Sequence, residues 1–132
     1  LWSERYDKKG NVIWSMNNEA YDGITVYTTC EYNSNNQIVK KESSSFFEND
    51  STWAYDEKGN LLEQTALRDD QVVGKLTYEY ENGKNVKITS VGANPYVVSY
   101  SYDQHGNWNK EVLVDEDGNT SVRFRRIYYH AN

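Results

Sequence analysis

The chain has 132 residues, a length that suits one domain with a modest core. Its 14 basic and 20 acidic residues give a formal net charge of −6, which argues against a nucleic-acid partner because such a partner selects a basic surface. No apolar run reaches the roughly 18 residues of a transmembrane helix, so no membrane span is predicted. The single cysteine, Cys30, excludes a disulfide framework.

The composition predicts strands joined by tight turns. The chain contains 12 Tyr and 4 Trp but only one Pro. Tyr, Trp, Thr and Val favour strands, whereas Asn, Asp and Gly favour the turns between them. No segment keeps the helical spacing of apolar residues over three turns, so we predict an all-β fold.

A seven-residue motif recurs along the chain and indicates a repeat. It reads YDKKGNV at residues 6–12, YDEKGNL at 55–61 and YDQHGNW at 102–108. Degenerate copies bring the unit starts to residues 6, 32, 55, 80, 102 and 114. The full steps are long enough for two strands and two turns each, and the last step of 12 residues is half a period.

The motif has the chemistry of a hairpin turn. Asp followed by two polar residues and Gly forms a type I turn with a G1 bulge, in which the Asp carboxylate accepts backbone N–H bonds. Gly adopts the positive φ at the exit without a Cβ penalty, and Asn36 is the best-tolerated substitute where Gly is missing. The predicted structural turn residues are Asp7, Gly10, Asp56, Gly59, Gly83, Asp103, Gly106, Asp115 and Gly118.

Apolar and polar residues alternate between these turns, as they do in antiparallel strands that pack on one face. The alternation is clearest at Tyr96, Val98, Tyr100 and Tyr102, which share one face of their strand. The entry strands of the other hairpins show the same pattern more weakly. The pattern therefore predicts short antiparallel strands with one apolar face.

Looser second turns are predicted at residues 22–23, 69–70 and 92–95, and the longest loop at 43–50. Both classes of turn together give an antiparallel meander of about eleven short strands, built from repeated hairpins within a single domain over residues 1–132. An open layer would leave its aromatic face in water. We therefore expect the sheet to curl into a flattened barrel or a two-layer sandwich.

Residues able to carry metal or nucleophilic chemistry all have structural explanations. His105 falls in a solvated turn, and Cys30 falls on an apolar strand face as a small hydrophobe. Asp115, Asp117 and Asn119 alternate like ligands of a hard cation, but the hairpin turn accounts for all three. We expect no metal and no cofactor.

Carboxylates leave one enzymatic alternative open. A carbohydrate-active hydrolase would need a pair of acids, one of them with a raised pKa. Glu4 and Glu63 come nearest, and both lie at ordinary positions near strand ends. The sequence identifies no such pair, so we expect no enzymatic activity.

Aromatic side chains away from the apolar face are the candidate binding residues. Tyr27 lies among polar residues, Tyr21 lies in a turn, and Phe46 and Phe47 lie in the longest loop. Aromatic rings exposed together stack on sugar rings or on apolar protein surfaces. We therefore expect a polysaccharide or a surface protein as the partner at Tyr21, Tyr27, Phe46 and Phe47, and the sequence predicts no oligomeric state.

The Tyr-Asp-x-x-Gly-Asn frame, with Tyr-x-Tyr before it at residues 78–80 and 100–102, resembles the YD repeat, also called the RHS repeat. The resemblance covers residues 6 to about 119. Large members of that family build β-sheet shells, and this short chain is closest in style to short exported YD-repeat proteins of Bacteroidetes-type bacteria. The family offers no catalytic residues to transfer.

The resemblance implies an exported protein of the periplasm, outer surface or extracellular space. It implies a non-enzymatic module that binds a glycan or a protein, or that serves as a structural spacer on the cell surface. The chain is then either a short YD-repeat protein or the C-terminal part of a longer one.

Overall fold

The computed structural model describes residues 2–18 and 23–129, and these residues form strands and turns. The strands are β1 (Trp2–Tyr6), β2 (Val12–Asn17), β3 (Val26–Tyr32), β4 (Ile38–Ser43), β5 (Asp50–Tyr55), β6 (Leu61–Arg68), β7 (Gln71–Glu81), β8 (Lys84–Val91), β9 (Tyr96–Tyr102), β10 (Trp108–Asp115) and β11 (Thr120–Phe124). They form one antiparallel sheet whose strand order follows the sequence. The predicted all-β class and the meander of eleven strands are confirmed.

β1 and β11 stand at the two ends of this strand order. The chain divides into two compact units, Leu1–Val73 and Gly74–Asn132. The prediction of a single domain over residues 1–132 stays a prediction.

In the first unit, each motif tyrosine marks a bulge at the end of a hairpin. Tyr6 pairs with Val12 after a register shift, and Tyr55 pairs with Leu61 in the same way. The shift places an extra residue in the turn, as the G1 bulge requires. The degenerate copy that begins at Tyr32 has the same register shift.

In the second unit, the hairpin of β9 and β10 repeats this geometry, with Tyr102 paired to Trp108. The hairpin of β7 and β8 is one residue shorter, because Tyr80 pairs with Asn85. Its turn residues Asn82 and Gly83 both have positive φ, of 50° and 74°, as in a two-residue type I′ turn. The last motif copy, at residues 115–119, joins β10 to β11 and so lies at the other end of β10 from the turn at 103–107.

Side-chain burial is shallow throughout the described residues. Val26 and Val98 are the buried hydrophobic side chains, at 6% and 7% exposure, and the described residues contain no fully buried large side chain. Cys30 is half-buried, and burial raises the pKa of its thiol. The backbone ladder and the turns therefore carry much of the order that a deeper core supplies in other folds.

Candidate interaction surface

The carboxylate of each motif aspartate organises its own turn. Oδ1 of Asp56 accepts hydrogen bonds from the backbone N–H groups of Lys58 (2.9 Å) and Asn60 (2.8 Å), and Oδ2 accepts one from the Asn60 side chain (2.8 Å). Gly59 has a φ of 85°. The same contacts recur at Asp7 and Asp115. The five residues from the motif Asp to the Asn after Gly thus form a turn that is closed by its own hydrogen bonds.

The hydroxyl of the motif tyrosine donates a hydrogen bond to the preceding hairpin. The Tyr32 hydroxyl donates to the Val12 carbonyl (3.1 Å), and the Tyr55 hydroxyl donates to the Ile38 carbonyl (2.9 Å). In the second unit, the Tyr102 hydroxyl donates to the Asn85 carbonyl (2.5 Å). Each acceptor belongs to the residue that pairs with the tyrosine of the preceding motif. We call this series of bonds the tyrosine ladder.

Neighbouring turns also touch directly within each unit. The Asn11 side chain donates to the Asn36 side chain (2.6 Å), and Lys9 Nζ donates to the Ser34 carbonyl (3.1 Å). Further along, Gln37 Nε2 donates to the Gly59 carbonyl (2.9 Å). In the second unit, Lys84 Nζ donates to the Gly106 carbonyl (3.1 Å). Polar groups of the motif turns therefore hold neighbouring hairpins together by hydrogen bonds.

Acid should weaken these turns. Hydrogen bonds from the Asn11 and Asn60 side chains hold the pKa of Asp7 and Asp56 below the usual range, and the Asn119 side chain does the same for Asp115. A carboxyl group whose pKa is lowered by folding stabilises the fold above its unfolded pKa, and this stability is lost as the pH falls through the lowered value. The melting temperature should therefore drop as the pH falls below about 4.

The control for this prediction is Asp56→Asn. Asn33 occupies the equivalent place in the second turn, and its Oδ1 accepts the same two backbone N–H bonds, from Asn35 and Gln37. Asp56→Asn should therefore retain the turn at neutral pH and show a shallower loss of melting temperature on acidification. A loss as steep as that of the unmodified chain would remove the Asp56 carboxyl group from the explanation.

The expected binding residues fall partly within the described chain. Tyr21 lies outside the described residues. Tyr27 is 46% exposed, and its ring centroid lies 6.1 Å from that of Trp14. The Arg5 guanidinium lies 4.9 Å from the Trp14 ring, on the strand next to it. The half-buried Trp14 and the exposed Arg5 thus lie beside the exposed Tyr27 ring.

The loop that carries the two phenylalanines is tied to Tyr27. The Ser44 N–H donates to the Tyr27 carbonyl (2.9 Å), and the Tyr27 N–H donates to Ser44 Oγ (2.9 Å). Phe46 and Phe47 are 93% and 69% exposed, and the buried Ser45 hydroxyl accepts from the Phe47 N–H. The structure therefore brings the loop next to the first residues of β3. Whether Tyr27, Phe46 and Phe47 bind a partner stays a prediction.

A shallow cleft of about 180 Å³ opens beside this loop. Phe46 and Leu67 supply its apolar wall, and Glu48, Asp50 and Arg68 supply charged groups. Arg68 Nε donates to Asn49 Oδ1 (3.1 Å), and Asp50 Oδ1 accepts from the Ser43 N–H (2.8 Å). The side chains of Arg68 and Asp50 thus help to hold the loop.

The pKa is lowered in four motif aspartates, Asp7, Asp56, Asp103 and Asp115, whereas a catalytic general acid needs a raised pKa. Glu4 accepts from the Tyr6 hydroxyl and Glu63 accepts from the Thr65 hydroxyl. Across the described residues, no group of three metal-ligating side chains comes together.

The segment after β11 makes contacts that sequence analysis missed. The Arg125 N–H donates to the Asn109 carbonyl, and Arg125 Nε donates to the Trp108 carbonyl, both at 3.0 Å. Trp108 pairs with the motif tyrosine Tyr102, so Arg125 takes the place that a tyrosine has elsewhere in the tyrosine ladder. The spacing of 17 residues from acceptor to donor is the same as from Ile38 to Tyr55.

Tyr129 completes the contact of this segment with the turn at residues 103–107. Its hydroxyl donates to Asp103 Oδ2 (2.5 Å) and accepts from the Asn107 side chain (2.7 Å), so it stands between two groups that bond directly in the sibling turns. The Tyr129 ring lies 4.0 Å from that of His105. The Tyr129 hydroxyl is the main cause of the lowered pKa of Asp103.

The described part of the chain contains no helix able to span a membrane.

No family model matches the chain, and no curated protein matches its sequence significantly. Among solved structures, a crystal structure of TcdB2-TccC3-TEV matches with a TM-score of 0.73 at 15% identity, over 91% of this chain and 7% of that chain.

A structure of a mutant Tc holotoxin pore from Photorhabdus luminescens matches with a TM-score of 0.46 at 15% identity, over 92% of this chain and 9% of that chain. The chain therefore spans less than a tenth of the length of these two structures. At this level of identity, a match speaks for the fold alone. The TcdB2-TccC3 match supports an RHS-like repeat fold for this chain.

Proposed function

We propose that the chain is a non-enzymatic structural module of an exported YD-repeat protein, and that its sheet continues into protein partners through the edge strands. The observation that carries this proposal is the pair of open edges. Within the described residues, β1 pairs only with β2, and β11 pairs only with β10. An edge strand presents a row of unpaired backbone groups, which is a template for pairing with a further strand.

The composition of β11 fits this use. All five of its residues are exposed, and Val122 and Phe124 are exposed hydrophobic side chains at 48% and 74%. Natural edge strands that avoid association carry charges, Pro or a bulge. β11 has one charged residue, Arg123, and that residue is paired with Glu111 at 2.9 Å. The fold match supports the same role, since this chain corresponds to 7% of a much longer chain.

The register of β11 shows which amides face outward. Arg125 donates to the Asn109 carbonyl one position beyond the pair Lys110 and Phe124, so the bonded residues of β11 are those at even steps from Arg125. The backbone groups of Val122 and Phe124 therefore point away from β10. A proline at position 122 would remove an outward N–H and leave the bonds to β10 in place.

The test is sedimentation of the chain over a range of concentrations. With both edges open, we expect species larger than a dimer, because each chain can pair through two different strands. Val122→Pro should limit association to a dimer, and Val122→Thr, which keeps the N–H and the β-branched shape, should behave like the unmodified chain. A chain that stays monomeric at every concentration would contradict the proposal.

A second function is favoured by a separate observation, the exposed aromatic side chains of Tyr27, Phe46 and Phe47, which lie on β3 and on the loop bonded to it. Such a surface suits binding of a polysaccharide or a surface protein. Titration of a soluble polysaccharide into the chain tests this function. Binding that is lost in Tyr27→Ala would support it, and absence of binding by the folded chain would contradict it for that ligand.

A further inference from the structure

We propose that the partner at the sheet edges is a second copy of this chain, and that the copies associate head to tail, with β1 of one copy against β11 of the next. This inference rests on the proposed structural role, because it names the partner of the same two edges. It also specifies a register, in which Tyr6 lies opposite Thr120 and Trp2 lies opposite Phe124 of the neighbouring copy. The contact is heterologous, so each added copy leaves an edge to which a further copy can add.

The places of β1 and β11 in the repeat favour this pairing. β1 leads into the motif turn at residues 7–11, and β11 leaves the motif turn at residues 115–119. Within each unit, the strand that leaves one motif turn pairs with the strand that leads into the next, as β2 pairs with β3 and β8 pairs with β9. A β11 strand beside a β1 strand continues this order, whereas two β1 strands or two β11 strands do not.

Tyr6 has the contacts expected of a motif tyrosine that lacks a preceding strand. The hydroxyls of Tyr32, Tyr55 and Tyr102 donate to carbonyls of a preceding hairpin. Tyr6 instead donates to Glu4 of its own strand. Tyr6 is 55% exposed, whereas the three other tyrosines are half-buried. A strand on the outer side of β1 would therefore cover Tyr6 as neighbouring strands cover the others.

The outward backbone groups of the two strands match in number and spacing. The Asp7 N–H donates to the Asn11 carbonyl, so the backbone of Asp7 faces β2, and the extra residue of the bulge lies on β2 rather than β1. Because backbone groups alternate along an antiparallel strand, the outward groups of β1 belong to Trp2, Glu4 and Tyr6. By the same alternation, the outward groups of β11 belong to Thr120, Val122 and Phe124. Both strands have five residues, so the two sets meet over the full length.

The side chains that meet in this register are compatible. Trp2 and Phe124 are 64% and 74% exposed, and the pairing makes them a cross-strand aromatic pair. Glu4 lies opposite Val122, and no two like charges lie directly opposite each other. By contrast, two β1 strands that overlap fully would place Glu4 opposite Glu4 of the other copy, and like charges directly opposite destabilise a strand pair.

The experiment mixes two variants that each lose one edge. Val122→Pro removes an outward N–H of β11 and Glu4→Pro removes one of β1, while the bonds to β10 and β2 remain. Head-to-tail pairing predicts a heterodimer in the mixture, formed by β1 of the Val122→Pro chain and β11 of the Glu4→Pro chain. Val122→Pro alone can form only the weaker dimer between β1 strands. By analytical ultracentrifugation, the heterodimer should therefore dissociate at a concentration at least about tenfold lower than either variant alone.

The outcomes separate this inference from the proposed structural role. If the unmodified chain associates but the mixture associates no more tightly than the separate variants, the head-to-tail pairing is wrong and the structural role stands. If the unmodified chain and the mixture both stay monomeric, both are wrong. Melting curves confirm that each variant is folded, and Trp2→Pro, which removes another outward N–H of β1, replaces Glu4→Pro if that variant does not fold.

A charge pair tests the register. Val122→Glu in the Glu4→Pro chain sets a carboxylate opposite Glu4 of the Val122→Pro chain and should weaken the heterodimer about two- to fivefold. Glu4→Lys in the Val122→Pro chain should then restore the affinity, because opposite charges face each other. Ser121→Glu is the matched control, since it adds the same charge opposite Arg5 and should not weaken the heterodimer. Equal weakening by both glutamates, or no recovery with Glu4→Lys, would contradict this register.

Discussion

Replacing Gly59 with valine should lower the free energy of unfolding by about 1–3 kcal/mol. Gly59 has a φ of 85°, a region that a β-branched side chain resists. A Cβ at this position would also lie 3.3 Å from Gln37 Nε2, the atom that donates to the Gly59 carbonyl. The substitution therefore strains its own turn and disturbs the contact with the neighbouring turn. Thermal and urea unfolding of the full chain measure the loss.

Gly10→Val separates these two causes. Gly10 has a φ of 87°, and an added Cβ there would meet nothing within 4 Å. This variant should therefore report the backbone strain alone and lose less stability than Gly59→Val. If Gly59→Val unfolded at the same temperature as the unmodified chain, the turn would not need its glycine.

Tyr55→Phe should lower the free energy of unfolding by about 0.5–1.5 kcal/mol, the usual net value of one hydrogen bond. The variant keeps the half-buried ring and removes only the hydroxyl that donates to the Ile38 carbonyl at 2.9 Å. That carbonyl lies on the preceding hairpin, so the loss measures one step of the tyrosine ladder. Equilibrium unfolding in urea is the direct measurement.

Tyr78→Phe is the matched control. Tyr78 is also half-buried, and burial raises its pKa, but its hydroxyl makes no hydrogen bond with a described residue. Removing this hydroxyl should leave stability within about 0.5 kcal/mol. Equal losses in the two variants would mean that the tyrosine ladder does not stabilise the fold.

The strands and their order follow from local chemistry that the sequence displays. Asp, Gly and Asn at fixed offsets define the motif hairpins, and other turn-forming residues mark the second turns, so the meander could be predicted from local sequence. The turn at residues 81–84 differs, because the pair Asn82 and Gly83 closes a two-residue turn and Tyr80 pairs one residue earlier than elsewhere. The seven-residue motif alone could not predict this shorter turn.

The tyrosine ladder could not be predicted, because it joins residues of different repeats. The sequence pattern assigned the motif tyrosines to an apolar face, where burial explained them. Only the fold shows that each hydroxyl reaches a carbonyl of the preceding hairpin. Arg125 was missed for the same reason. Its Nε donates to the Trp108 carbonyl, where a tyrosine hydroxyl would donate in the other hairpins.

The exposed surface was predicted in part. Tyr27 and the two loop phenylalanines were identified because they stand outside the apolar alternation, and all three are exposed. In the sequence, Trp14 alternates with Val12 and Met16 as one apolar face would, but in the structure it lies beside Tyr27. The bulge before Tyr6 shifts the register of the first hairpin, and such a shift exchanges the faces that a strict alternation predicts.

Residue-by-residue amide hydrogen exchange tests the proposed structural role most directly. At low chain concentration, the Val122 and Phe124 amides should exchange rapidly, and the Arg123 and Arg125 amides should be protected by their bonds to β10. At a concentration where the chain associates, the Val122 and Phe124 amides should become protected as well, because they then pair with another strand. Association that leaves these two amides exchanging as fast as before would contradict a role for the β11 edge.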